Sequence, residues 1–404
     1  MERLYQTLFE QHLADYRQMI FVMGPRQVGK TTVAQKMVAQ HTHGFYFNWD
    51  NINDREQIIA GPNNIAKIIN LPLLSNTKPL IVFDEIHKFK NWRDFLKGFY
   101  DSYPNKCNIL VTGSAQLDVF NRGGDSLMGR YFPFRFHPLS IAEITQRGIN
   151  TTREYWEIPK LISNEHFEAL WNFGGYPDPY LKQSAAFSRR WIKLRGQQLF
   201  SEDIRDLTRI QDIDTLEILA EKLKQHVGSL TSFQNLATQL RVSDNTIRNW
   251  LETLKALYYC FEIKPWSKNV SRSLLKEPKY YLWDWTLCPN EGMKAENMVA
   301  LHLLKAINFW NDIGLGDYGL HFIRDKEKRE VDFLITKNNQ PWILVEVKLS
   351  LNKSISSSLH HFHEQLKPNF TFQVVCNMEY VQKNCFDQPG LHIVPLKTFL
   401  SQLV

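Results

Sequence analysis

IFVMGPRQVGKTTVAQKMV, residues 20–38, is the stretch that decides the fold of the first part of this chain. Ile20, Phe21, Val22 and Met23 read as a short buried strand, and the residues after Thr32 continue with helical spacing. Between them run Gly24, Pro25, Arg26, Gln27, Val28, Gly29, Lys30, Thr31 and Thr32. Strand, G-x-x-x-x-G-K-T loop and helix in that order form a phosphate-binding loop. The glycines let backbone N–H groups close around a phosphate, and the helix N-terminus adds the positive end of its dipole. Lys30 can then reach the β- and γ-phosphates, and the Thr31 hydroxyl can serve a Mg2+ ion. The expected ligands of this segment are therefore ATP and Mg2+.

A second strand, Leu80, Ile81, Val82 and Phe83, ends in the carboxylates Asp84 and Glu85. Continuous apolar runs of this kind are buried parallel strands. Residues at their C-terminal ends face the crevice where open α/β sheets bind ligands. Asp84 is the candidate for the Mg2+ shell, and Glu85 for polarising the attacking water. A third strand over residues 109–112 ends in small polar groups, so that Thr112 or Ser114 either senses the γ-phosphate or caps the helix after it. Arg130, after Gly129, is a candidate to complement transition-state charge, in its own chain or from a neighbouring copy. A surface arginine explains the same residue.

The chain has 404 residues, too long for one ordinary core, which predicts several domains. Hydrophobic residues at 43% and charged residues at 22% are the balance of a soluble globular protein, not of a disordered or fibrous one, and the strand and helix motifs above make the expected class α/β multidomain. No apolar run reaches the roughly 18 to 20 residues that span a bilayer, and the first residues hold no signal-peptide core. The expectation is a cytoplasmic protein with no membrane partner. Five scattered cysteines, never as Cys-x-x-Cys, read as reduced thiols. A net charge of +6 is compatible with a nucleic acid partner without requiring one.

Together with Met128-Gly129-Arg130-Tyr131 and His137-Pro138-Leu139-Ser140, these motifs resemble prokaryotic AAA-superfamily ATPases that carry a C-terminal domain of unknown function. Gly174-Gly175-Tyr176-Pro177, Tyr281-Leu282-Trp283-Asp284 and Glu296-Asn297 extend the resemblance over nearly the whole chain. It implies an AAA-like P-loop domain at residues 1–150 and a helical region at 151–225. A winged-helix-like segment comes next, at 226–288.

In that last segment residues 232–240 and 244–254 read as two helices around a tight turn. Ser243 would cap the second, which presents Asn245, Arg248 and Asn249 opposite an apolar face of Ile247, Trp250, Leu251 and Leu254. Such a face can touch DNA or pack against protein.

Near the C-terminus, REVDFLITKNNQPWILVEVKLS, residues 329–350, reads as a hairpin interrupted by Asp332, Glu346 and Lys348. A turn centred on Asn339 would set Asp332 opposite Glu346, with Lys348 on the same face. Glu296 lies on a preceding amphipathic helix. The order E…D…E-x-K, within helix, three strands, helix, strand, resembles the PD-(D/E)xK nuclease superfamily and implies a restriction-endonuclease-like domain at 289–404. There Asp332 and Glu346 would hold Mg2+, Lys348 would stabilise developing charge, and Glu296 would complete the site. A solvated Glu346–Lys348 pair accounts for the same stretch. His360, His361, His363 and Glu364 read as decoration of a helix, not as a metal site.

The function expected is an ATP-hydrolysing, DNA-associated enzyme with a metal-dependent nuclease-like domain, compatible with a homo-oligomer. The alternative is an ATP-driven signalling or assembly switch whose C-terminal domain only binds a partner.

Overall fold

A computed structural model describes residues 2–71, 78–113, 127–146, 148–204, 210, 212–267, 277–351 and 354–404. The chain divides into two compact units, Met1–His137 and Pro138–Val404.

In the first unit the helices are α1 (Leu4–Asp15), α2 (Lys30–Gln40), α3 (Ile52–Ile59), α4 (Pro62–Ile68) and α5 (Trp92–Ser102). The strands β1 (Met19–Met23), β2 (Gly44–Asn48), β3 (Leu80–Asp84), β4 (Asn108–Thr112) and β5 (Tyr131–Arg135) form one sheet in the order β2-β3-β4-β1-β5. All its pairings are parallel. The inner strands β1 and β3 are buried along their whole length, as continuous apolar runs require when helices cover both faces. Phe47, Phe83, Phe95, Phe99 and Trp92 fill one core of this unit. On edge strand β5, Pro133 has no N–H to offer a further strand. Since every strand runs the same way, the phosphate loop after β1, the carboxylates after β3 and Thr112 at the end of β4 all emerge at one sheet edge.

The second unit holds α6 (Ile141–Thr145), α7 (Asn164–Phe173), α8 (Pro177–Lys182), α9 (Ala185–Gln198), α10 (Ile213–Gln225), α11 (Phe233–Leu240) and α12 (Asp244–Ala256). Next in the chain are strands β6 (Cys260–Pro265) and β7 (Lys279–Leu282), helix α13 (Glu291–Asp312), strands β8 (Tyr318–Arg324), β9 (Glu330–Lys337) and β10 (Gln340–Lys348), and helix α14 (Ser357–Leu366). Strands β11 (Phe370–Val375) and β12 (Gly390–Pro395) and helix α15 (Leu396–Ser401) close the unit. The strands make one seven-stranded mixed sheet, β12-β11-β10-β9-β8-β6-β7. The hairpin β9–β10 turns at Asn338 and Asn339, both with positive φ, after which Leu344 pairs with Leu334 and Val345 with Phe333. One step further, that register sets Glu346 opposite Asp332.

Ser243 caps α12 by accepting from the Thr246 N–H, and Ile247, Trp250, Leu251 and Leu254 are its buried face. Asn245, Arg248 and Asn249 lie off that buried face. The segment expected as a separate domain at 226–288 nevertheless shares its sheet with the C-terminal segment. Lys264 and Pro265 of β6 pair in parallel with His321 and Phe322 of β8, so both segments build a single sheet.

Two buried polar residues of α13, Lys305 and His302, tie it to the segment around α6. Lys305 donates to Glu143 at 2.5 Å and to the Ser140 hydroxyl at 2.9 Å. His302 accepts the Ile141 N–H on Nε2 at 3.1 Å and donates from Nδ1 to the Met298 carbonyl at 2.7 Å, which uses both nitrogens of the neutral ring. Burial pushes the His302 pKa down from 6.5 to about 3. The neutral form therefore contributes stability that is complete above pH 6.5 and is lost as pH falls toward 3, by about 1.4 kcal/mol per pH unit. We expect denaturant midpoints to fall between pH 7 and pH 5, and His302→Gln to flatten that slope; equal slopes would refute the assignment.

Candidate functional site

The first candidate site lies at the C-terminal edge of the parallel sheet. Gly29 has a φ of 102°, a left-handed conformation that favours glycine, and directly precedes α2. Lys30 is buried, and its Nζ donates at 2.7 Å to the carbonyls of both Gly24 and Pro25. Burial lowers its pKa to about 8, against the pull of Glu85 and Asp84. Val28 is buried, while Gln27 and Thr31 are exposed and Arg26 is half-buried. Asp84 gathers three hydroxyls: Thr31 Oγ1 donates to its Oδ2 at 3.0 Å, Tyr46 shares that oxygen, and Thr112 donates to Oδ1. The loop threonine and the strand carboxylate expected around Mg2+ are thus in direct contact. Glu85 sits at a φ of 55°, uncommon outside glycine, and burial raises its pKa. Ser114 lies outside the described residues.

Arg130 calls for a correction. It precedes β5, and its carbonyl accepts from the N–H of Met19 at the start of β1. The phosphate loop leaves the other end of β1, roughly 15 Å away along the strand. At the entry to β5 Arg130 pairs with Asp101 at 2.9 Å. Arg130 therefore does not face the phosphate loop of its own chain, because parallel pairing with β1 puts the entry to β5 at the opposite sheet edge.

The second candidate site is built on β9, β10 and α13. Asp332 Oδ2 accepts from the Val347 N–H at 2.8 Å, and Glu346 Oε1 pairs with Lys348 Nζ at 2.5 Å. Glu346 Oε2 is buried with no hydrogen-bond partner. Glu296 Oε1 accepts from the Tyr281 hydroxyl at 2.8 Å. Burial and then the Asp332 charge push the Glu296 carboxyl up to about 8. Burial also raises Asp332, with Glu346 adding to the shift and Lys279 opposing it. For Lys348 burial disfavours the charge, but Glu346 and Asp332 outweigh it and hold the amine above its usual value. Asp332 thus acts on Glu296 and on Lys348, and Glu346 acts on Asp332 and on Lys348.

Three partners of this site have no role assigned by the sequence, although Tyr281 falls in one of the motifs that carry the family resemblance. Lys279, 2% exposed, donates to Glu330 at 2.6 Å and lies 3.9 Å from Glu296. Tyr281 comes from the same strand, β7. Gly228 backs directly onto Glu296: a Cβ there would lie 2.6 Å from Glu296 Oε1, and its φ is +74°. Sequence neighbours do not reveal these roles, since a lysine and tyrosines in a short strand look alike whatever they face. Gly228→Ala is expected to cost about 1–3 kcal/mol through steric and backbone strain. It should also displace Glu296. Equal thermal unfolding of variant and wild type would contradict the packing.

Among the described residues no three or more His, Cys, Asp or Glu side chains are grouped as a metal site. A Mg2+ ion asks for less: it usually keeps several waters and takes one or two carboxylates. Asp332 and Glu346 meet that demand, since the buried Glu346 Oε2 lacks any other partner. In the first unit Thr31 and Asp84 are the residues that would hold the ion. Of the histidines of α14, His363 bonds the Thr371 hydroxyl at 2.9 Å, His361 lies 3.9 Å from Asp325, and His360 is exposed.

Residues 16–145 match a family model described as an AAA domain. Residues 164–294 and 291–399 match two domains of unknown function, DUF8612 and DUF4143. An uncharacterized protein of Methanocaldococcus jannaschii is 26% identical over 349 residues, 82% of this chain and 75% of its own length. One of Mycobacterium tuberculosis is 24% identical over 355 residues, 84% of this chain and 72% of its own. Among solved structures, AMPPCP-bound DnaA from Aquifex aeolicus aligns with a TM-score of 0.33 and 14% identity, over 63% of this chain and 87% of that one. C. elegans PCH-2 aligns with a TM-score of 0.25 and 15% identity, over 62% and 64%. The N-terminal segment is thus AAA-like in sequence and carries a parallel sheet with a phosphate loop, and the segments after it match models that name no function.

Proposed function

We propose that the first unit binds and hydrolyses ATP, and that the second carries a metal-dependent nuclease-like site acting on DNA. The observation that carries the first half is the Thr31–Asp84 contact at 3.0 Å, which joins the phosphate loop to the strand carboxylate. The loop N–H groups cup the phosphates, and Lys30 exchanges its bonds to Gly24 and Pro25 for phosphate oxygens. Mg2+, when bound, neutralises phosphate charge. Glu85, whose pKa burial raises, orients and deprotonates the attacking water. Arg130 would reach transition-state charge only in a neighbouring copy, which makes a homo-oligomer part of this reading.

For the second half, the order α13, β8, β9, β10, α14, β11, with β11 parallel to β10, supports a restriction-endonuclease-like core. Asp332 and Glu346 would hold Mg2+ there, Lys348 would steady charge on the phosphodiester, and Glu296 would hold a proton. Helices α10 to α12, the antiparallel pair β6–β7 and the isolated bridge from Leu230 to Lys279 support a winged-helix-like arrangement. Its Asn245, Arg248 and Asn249 would face the nucleic acid.

The switch reading has its own support, because Lys348 already pairs with Glu346 and Lys279 with Glu330. Labelled duplex and single-stranded DNA, incubated with the full chain, ATP and Mg2+ or Mn2+, separates the two. Cleavage that Asp332→Asn removes supports the nuclease. Intact DNA beside ATP hydrolysis that depends on Lys30 leaves the switch.

A further inference from the structure

The carboxylate site is not confined to the hairpin and helix that bear its motif. Lys279 enters it from β7, on the far side of the sheet order from β9 and β10. Its Nζ sits 2.6 Å from Glu330 Oε1 and 3.9 Å from Glu296 Oε1, with 2% of the side chain exposed. Tyr281, two residues on, holds Glu296 through its hydroxyl. Arg324 takes the other oxygen of Glu330 at 2.7 Å. Glu330 is therefore already satisfied by a cation, and its ion pair with Lys279 is not needed to neutralise it.

The charges of the cluster can be counted. With Glu296 holding a proton, the carboxylates Glu330, Asp332 and Glu346 are set against the cations Lys279, Lys348 and Arg324, three charges of each sign. One divalent ion and one phosphodiester add a single positive charge to that balance, and a second divalent ion would add two more. A second divalent ion, of the kind that two-metal nucleases hold about 3.5–4 Å from the first, would need the carboxylates that the Lys279 ammonium now faces.

We propose that Lys279 is a charge-setting residue of this site, filling with its ammonium the place of a second cation, so that the site takes a single divalent metal ion together with one phosphodiester. The inference rests on the reading of Asp332 and Glu346 as metal-binding. Lys279 acts through the field it places on Glu296 and on the ion, as a positioning residue. A lysine that merely braces the β7 edge would make a different prediction, since its loss would loosen the carboxylates and weaken the metal.

The test is Mn2+ binding to the full chain without nucleotide, with the free ion read by electron paramagnetic resonance. Wild type should bind one more Mn2+ than Glu346→Gln. Lys279→Met should bind that ion at least roughly tenfold more tightly, because a positive charge close to it is gone. Lys279→Arg should keep the wild-type affinity. Unchanged or weaker Mn2+ binding by Lys279→Met overturns the role of Lys279 while leaving the metal site in place. If Glu346→Gln binds Mn2+ as wild type does, the metal reading itself falls, and the role of Lys279 with it. Should Lys279→Met fail to fold, the wild-type stoichiometry decides, since two ions lost in Glu346→Gln exclude a site limited to one.

Discussion

Lys30→Ala should lower ATP turnover by roughly two to three orders of magnitude while the first unit stays folded. The lysine is a charged amine, 7% exposed, that donates hydrogen bonds to two carbonyls of its own loop. Burial has already lowered its pKa to about 8, so the folded chain carries a cost for this cation that packing alone does not explain. Truncation removes that cost together with the charge. Stability is therefore expected to change by no more than about 1 kcal/mol, since the loop carbonyls regain access to water. Phosphate release at saturating ATP, run beside thermal unfolding, gives both numbers. Turnover within a few-fold of wild type would remove Lys30 from the chemistry, and with it the reading of the loop.

On the proposed nuclease reading of the second site, Glu346→Gln and Asp332→Asn should each reduce metal-dependent DNA cleavage by at least roughly a hundredfold. The two differ in what else they disturb. Asp332 accepts a backbone hydrogen bond from Val347, which the amide oxygen of asparagine can still accept. Glu346 has one oxygen on Lys348 and the other buried and unpartnered. Exchange for the neutral amide relieves a buried charge, and Lys348, with 38% of its side chain exposed, can turn to solvent. Glu346→Gln should therefore hold or raise the unfolding temperature in metal-free buffer as it loses activity, the pattern of a group kept for function at the expense of stability. A variant that loses stability and keeps cleavage would mark Glu346 as a structural ion-pair partner.

Much of both sites could be read from local pattern. The phosphate loop is contiguous, so its strand, glycines and lysine carry the fold in one stretch. Asp84 and Glu85 end an apolar run whose burial on both faces follows from its composition. A turn centred on Asn339 and the two-residue alternation of strands already set Asp332 against Glu346, although the chain turns at Asn338 and Asn339 and reaches that register through a bulge between Pro341 and Ile343. In each case the information lies within a few residues of the group it places.

The sequence by itself thus determined a phosphate loop with its strand carboxylates, and a hairpin that sets Asp332 against Glu346. Tertiary structure alone decided where Arg130 lies, because the sheet edge it occupies depends on the direction in which β5 pairs with β1. It also decided that Lys279, Tyr281 and Gly228, from a segment whose helices suggest a separate domain, close around Glu296. The physical reason is the same for both. Strand pairing and charge clustering bring together residues far apart in the chain, and no periodicity along the chain records which distant strand an edge will meet.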